Sequence, residues 1–257
     1  MKYKTKILVD RFTELLSSWK GVECITLNEA ANQDTLDPYF ALILDVFRSG
    51  SIPSEEERCR LYGDDVAAFE STGEKDRFLI GDLPVRLEFK KTKKIDELVN
   101  IACDKHESIW LIKDSGTYGF YRLANCEIVF SRSNWINTVR DKLNHIDDKF
   151  WEEMRNTAQS KMEHFLSDLG AACFQGDKFH YLIASAGFIK TACQTLFCIN
   201  KKFEPSHRAY YNQVRELPIL PESFDGKFQA FLDNNAKDEM ESKFYIAKLL
   251  AHKIVLL

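Results

Sequence analysis

Apolar positions recur at helical spacing near the start of the chain. Ile7, Leu8, Phe12, Leu15, Leu16 and Trp19 lie three or four residues apart, and Gly21 closes the run. That period predicts an amphipathic helix over 5–19. The pattern then changes. Val22–Leu27 predicts a short strand, 28–38 is polar and predicts a loop, and Tyr39–Phe47 is almost wholly apolar, as a buried strand is. One carboxylate, Asp45, interrupts that run. Ser54 and Glu57 form a capping box that opens a helix to about Tyr62. Arg77–Ile80 and Leu83–Lys90 read as extended. In the second, Val85, Leu87 and Phe89 alternate with Arg86, Glu88 and Lys90. Ile95, Leu98, Val99 and Ala102 mark a helix, and the aromatic-rich segments Ser108–Lys113, Tyr118–Leu123 and Glu127–Ser131 predict strands.

From Ser133 onward the period is helical. Trp135, Ile136, Val139, Leu143 and Ile146 form one stripe. A longer one runs from Phe150 to Leu169 and ends near Gly170, and a third runs from Phe179 to Phe197. Val214–Leu217, Phe224–Leu232 and Met240–Leu256 add further helical segments. A strand-rich first half followed by a helix-rich second half predicts an α+β protein. A mixed-sheet core over 1–140 precedes a C-terminal helical bundle over 141–257.

Composition narrows the function classes. The 257 residues are 45% hydrophobic and 29% charged, a globular profile. With 35 basic and 39 acidic side chains the formal charge is −4, which speaks against a nucleic-acid partner. No apolar run approaches the roughly 18 residues that span a bilayer, so no membrane partner is expected. The seven cysteines contain no C-x-x-C and the six histidines show no zinc spacing. Reduced cysteines and a cytoplasmic location are the expectation.

Motifs for phosphate loops, dinucleotide folds, serine hydrolases and zincins are absent. Two carboxylates in apolar strands remain, Asp45 in Leu42-Ile-Leu-Asp-Val-Phe47 and Glu88 in Pro84-Val-Arg-Leu-Glu-Phe-Lys90. Such groups are costly unless compensated. On adjacent strands they would share one Mg²⁺, which favours one or two carboxylates plus substrate phosphates. Alternatively each pairs with a cation, Arg48 and Arg86 being near in the chain. Asp76 and Asp82 read as turn residues that could add a metal ligand. Lys90-Lys91-Thr-Lys93-Lys94 reads either as a solvated strand-to-helix turn or as a contact for nucleotide phosphates.

The order of these segments, from about Gly21 to Arg132, resembles the polymerase-beta-type nucleotidyltransferase superfamily, near its antibiotic (aminoglycoside and lincosamide) nucleotidyltransferase-like members. Val85-Arg-Leu-Glu88 is similar to the strand bearing that family's third carboxylate. Leu27-Asn28-Glu29-Ala30-Ala31 stands where the family has Gly-Ser. Ala41 and Ile43 stand at its first two Asp positions or, with the register moved by two, Ile43 stands at the first and Asp45 is the second carboxylate. The helical second half resembles the domain that follows such cores.

The resemblance implies Mg²⁺ held by Asp45 and Glu88, with Glu88 helping to deprotonate an acceptor. It implies nucleotide contacts from Asn28, Glu29 and Lys90, and a nucleoside triphosphate and a small-molecule hydroxyl acceptor as partners. Two functions follow. One is transfer of a nucleoside monophosphate. The other is a catalytically degenerate nucleotide- or ligand-binding regulator, which the missing Gly-Ser and Asp positions favour. Arg140 and His145 also match a ribonuclease spacing, but they read as the end of a helix.

Overall fold

The alternation along the strands becomes the two faces of a sheet. The computed structural model describes residues 3–28, 41–113, 116–233 and 239–257. Helix α1 (Tyr3–Ser17) leads to β1 (Val22–Leu27), β2 (Leu42–Arg48), α2 (Glu55–Tyr62), β3 (Val66–Ser71), β4 (Lys75–Ile80), β5 (Leu83–Lys91) and α3 (Thr92–Cys103). After a 3-10 turn, His106–Ser108, come the short helices α4 (Trp110–Lys113) and α5 (Tyr118–Asn125), then β6 (Glu127–Ser131) and α6 (Trp135–Asn144). The rest is helical: α7 (Asp148–Gln175), α8 (Lys178–Ile199), α9 (Tyr210–Arg215), α10 (Phe224–Leu232) and α11 (Glu239–Val255). The fold is α+β.

The sheet has six strands in the order β3-β4-β5-β2-β1-β6. Only β2 and β5 pair in parallel; the other described ladders are antiparallel. One face is apolar. Ile25, Leu27, Leu44, Val46, Val85, Leu87 and Phe89 pack with Phe12 and Leu16 of α1 and Tyr62 of α2 in one core. Successive residues of a strand point to opposite faces. The opposite face therefore carries Thr26, Asp45, Arg86, Glu88 and Lys90.

Two compact units divide the chain. The first holds the described residues up to Asp104 together with Arg122–His145; the second holds Lys105–Tyr121 and Ile146–Leu257. The second has its own core, in which Leu169, Phe188, Leu196, Val214, Phe228, Leu250 and Ile254 are buried. Asp177 caps α8 by accepting the N–H groups of Phe179 and His180, each at 3.0 Å.

Four readings change. The segments 108–113 and 118–123 are helical turns rather than strands, because Ile109 with Ile112 and Phe120 with Leu123 turn inward at three-residue spacing. Strand β3 went unread because it is an exposed edge, kinked at Ala68 (φ 51°) beside a register shift. Helix α7 does not stop at Gly170. A Cβ there would lie 2.7 Å from the Phe244 ring, so this glycine permits close packing inside the helix. The stop is Gly176, whose φ of 67° suits glycine. Finally, α8 is by length and composition apolar enough to cross a bilayer, although no unbroken apolar run announces it; half of its most apolar stretch is buried, as in the core helix of a folded domain.

Candidate functional site

The parallel pairing of β2 with β5 sets Asp45 directly opposite Glu88, and the antiparallel pairing of β1 with β2 sets Thr26 opposite Asp45. Lys75 of β4 continues the same row beside Glu88. The two carboxylates singled out in the sequence are therefore neighbours on one face. Asp45 is 1% exposed. Glu88 is more open, with its side chain 13% exposed.

Arg122 of α5 gathers this row. Its Nη2 donates to Asp45 Oδ1. Its Nη1 donates to Glu88 Oε2 at 3.1 Å and its Nε to Asn28 Oδ1 at 2.9 Å. The Lys90 ammonium lies 2.8 Å from Asp45 Oδ1 and 3.4 Å from Glu88 Oε2, and Lys75 lies 3.6 Å from Glu88 Oε1. Burial works to raise the Glu88 carboxyl. The fields of Arg122, Lys90 and Lys75 outweigh it and hold this group at about 2.

Of the expected site residues, the fold thus brings Asn28, Asp45, Glu88 and Lys90 together through Arg122. Glu29 lies outside the described residues. The pairing partners differ from those near in the chain. Arg48 donates to the carbonyl of Gly50 at 3.0 Å, and Arg86 has a buried Nε with no partner among the described residues. Asp76 is not a turn residue. It lies in β4 on the apolar face, fully buried, paired with Arg58 at 2.8 Å, and cannot join Asp45 and Glu88. Arg140 donates to the carbonyls of Leu123 (2.9 Å) and Cys126, a structural use that leaves the ribonuclease spacing without a free guanidinium.

The arrangement does not fit a resident Mg²⁺. Such an ion would take carboxylate oxygens at about 2.0–2.1 Å. Those oxygens are already engaged by a guanidinium and an ammonium, which supply the same two positive charges. Among the described residues no group of three or more His, Cys, Asp or Glu side chains could hold a metal ion. What the face offers instead is a surplus of cations. Lys75, Lys90 and Arg122 surround two carboxylates, with Lys75 and Lys90 about one-third open to solvent. Thr26 Oγ1 and Asn28 Nδ2, buried on the same face, have no hydrogen-bond partner among the described residues.

No protein-family model matches the sequence, and no curated protein matches it. Among solved structures there are likenesses. A nucleotidyltransferase-like protein from Exiguobacterium sibiricum 255-15 aligns with a TM-score of 0.52 at 11% identity, over 98% of this chain and 76% of that one. An aminoglycoside 6-adenyltransferase from Bacillus subtilis aligns with a TM-score of 0.35 at 9% identity, over 99% and 89%. The first likeness makes the fold nucleotidyltransferase-like; at such identities it speaks to the fold alone.

Proposed function

We propose that this protein binds a phosphate-bearing ligand of the nucleoside triphosphate type on the polar face of its sheet, as a binding or regulatory protein that does not transfer the nucleotidyl group. One observation carries the reading: Arg122 and Lys90 hold both carboxylates. Nucleotidyl transfer in the resembling family needs those carboxylates for metal and for deprotonating the acceptor. A carboxyl held at about 2 is a weak base for a hydroxyl. The lysines at the open edge are the groups that would meet phosphate oxygens, through charge-assisted hydrogen bonds. Asn28-Glu29 in place of Gly-Ser, and an apolar residue in place of at least one of the two paired Asp residues, agree with loss of the transfer chemistry.

The competing reading is an active transferase using a triphosphate–Mg²⁺ complex and a small-molecule hydroxyl. The register of Asp45 with Glu88 favours it, because that placement suits a shared ion. Calorimetric titration with ATP and GTP separates the two. The binder reading expects saturable binding in EDTA, weakened about tenfold in Lys90→Ala, and no pyrophosphate release with aminoglycosides or lincosamides in Mg²⁺. Binding that requires Mg²⁺, or pyrophosphate release lost in Glu88→Ala, would establish the transferase. No binding of either nucleotide under any condition would sink both.

A further inference from the structure

We infer that Arg122 is a resident cation, a side chain of the protein itself standing where the resembling family places a divalent ion, and that removing it converts its cradle into a divalent-metal site. The inference concerns the unliganded protein and needs no nucleotide.

The donor set carries it. Each nitrogen of the Arg122 guanidinium meets an oxygen from a different place in the sheet: Asp45 Oδ1 on β2, Glu88 Oε2 on β5 and Asn28 Oδ1 just past β1. Three converging oxygens with two negative charges are what a hard divalent cation selects. The guanidinium consumes that set in full. Burial makes the occupancy necessary. Two carboxylates facing each other in register, one of them 1% exposed, are unfavourable without a cation between them. An arginine meets this need permanently, because it does not deprotonate in proteins. Unlike a bound ion, it cannot be removed by a chelator. Lys90 adds a second charge from the open side at 2.8 Å. A divalent ion would therefore have to displace one cation and repel another.

The cost of losing Arg122 is also specific. The oxygens of Asp45 and Glu88 remain on β2 and β5, and that of Asn28 just past β1, in ladders that do not involve Arg122. The vacated position is lined by oxygen, and its two carboxylates have lost the cation that bridged them while Lys90 and Lys75 stay at the margin. That is a metal site in donor type, with room for the charge that Arg122 supplied.

The test uses the full chain, Mn²⁺ alone as probe, electron paramagnetic resonance of free Mn²⁺ and thermal unfolding. Wild type is expected to show no saturable Mn²⁺ binding that depends on Glu88, and no Mn²⁺-dependent rise in Tm. Arg122→Met and Arg122→Gln are expected to unfold at lower temperature in EDTA. In both, Mn²⁺ binding strengthens about tenfold or more over wild type, with a saturable recovery of Tm. Adding Glu88→Gln to either variant abolishes the gain. The inference is overturned if wild type binds Mn²⁺ and Glu88→Gln removes that binding. It is equally overturned if the folded Arg122 variants gain no affinity. Should neither variant fold, the wild-type titration decides. Because no nucleotide is present, a negative result here is distinct from failure of the ligand reading.

Discussion

Two arginine–carboxylate clusters sit on opposite faces of the same sheet, and they differ in closure. On the apolar face, Arg58 grips Asp76 with two nitrogens, each at 2.8 Å. Its remaining donors meet the Pro53 carbonyl at 2.9 Å and Ser71 Oγ at 3.0 Å, and Tyr62 also donates to Asp76. The Arg58 and Asp76 side chains are 3% and 0% exposed. Burial first, and then the Asp76 charge, push the Tyr62 phenol up, so it stays a donor. One cation meets one anion and every partner is internal. On the polar face three cations meet two anions, lysines reach solvent, and buried polar atoms of Thr26, Asn28 and Arg86 lack partners among the described residues. Buried groups left unsatisfied call for an explanation outside the fold's own bonding. The closed cluster balances its charge internally, whereas the open one carries one cation more than it has anions.

The largest expected effect lies in the closed cluster. Arg58→Met strands a buried carboxylate and costs about 3–5 kcal/mol in urea unfolding, while the folded fraction keeps its affinity for ATP. Arg122→Met costs less, about 2–3 kcal/mol, because Lys90 and Lys75 remain beside the carboxylates; here ATP affinity falls too. An equal loss of affinity in both variants would erase the distinction between the clusters.

A smaller effect appears with pH. The folded Glu88 carboxyl is held below its ordinary value of 4.5, at about 2. Its contribution is therefore present above pH 4.5 and lost as pH falls from 4.5 through 2, where the unfolded chain takes the proton first. Glu88→Gln removes this component, so its stability falls less steeply than wild type over that window. Parallel curves for the two proteins would mean that the cations do not hold Glu88. The smallest effect belongs to Lys75→Met. Its ion pair is partly exposed at 3.6 Å, and stability is expected to change by less than about 0.5 kcal/mol. ATP affinity drops a few-fold, and unchanged affinity would remove Lys75 from the site.

The closeness of Asp45 and Glu88 was legible because each interrupts an apolar strand, and strand alternation sends each to the face away from the core. Their true partner was not. Arg122 lies 34 residues beyond Glu88, in an aromatic segment that reads as a strand. There the burial of Phe120 and Leu123 makes a helix instead, and the turn of that helix aims the guanidinium at the sheet. Asp76 was misread for the opposite reason. A polar residue beside Gly-Glu-Lys suggests a turn, whereas the Arg58 that neutralises it comes from a different element, α2. Charge partners supplied from distant elements leave no local pattern. The change from strand to helix periods, by contrast, is written in neighbouring residues, and with it the α+β architecture.

In the function proposed above, built-in cations take over the role of metal at this site. Calorimetric titration of the wild-type protein with ATP, in EDTA and again in excess Mg²⁺, separates this from a metal-dependent site. The expected result is saturable binding in EDTA at least as tight as in Mg²⁺, since the free triphosphate offers more negative charge to Lys75, Lys90 and Arg122. Binding seen only with Mg²⁺, and lost in Glu88→Ala, would contradict it.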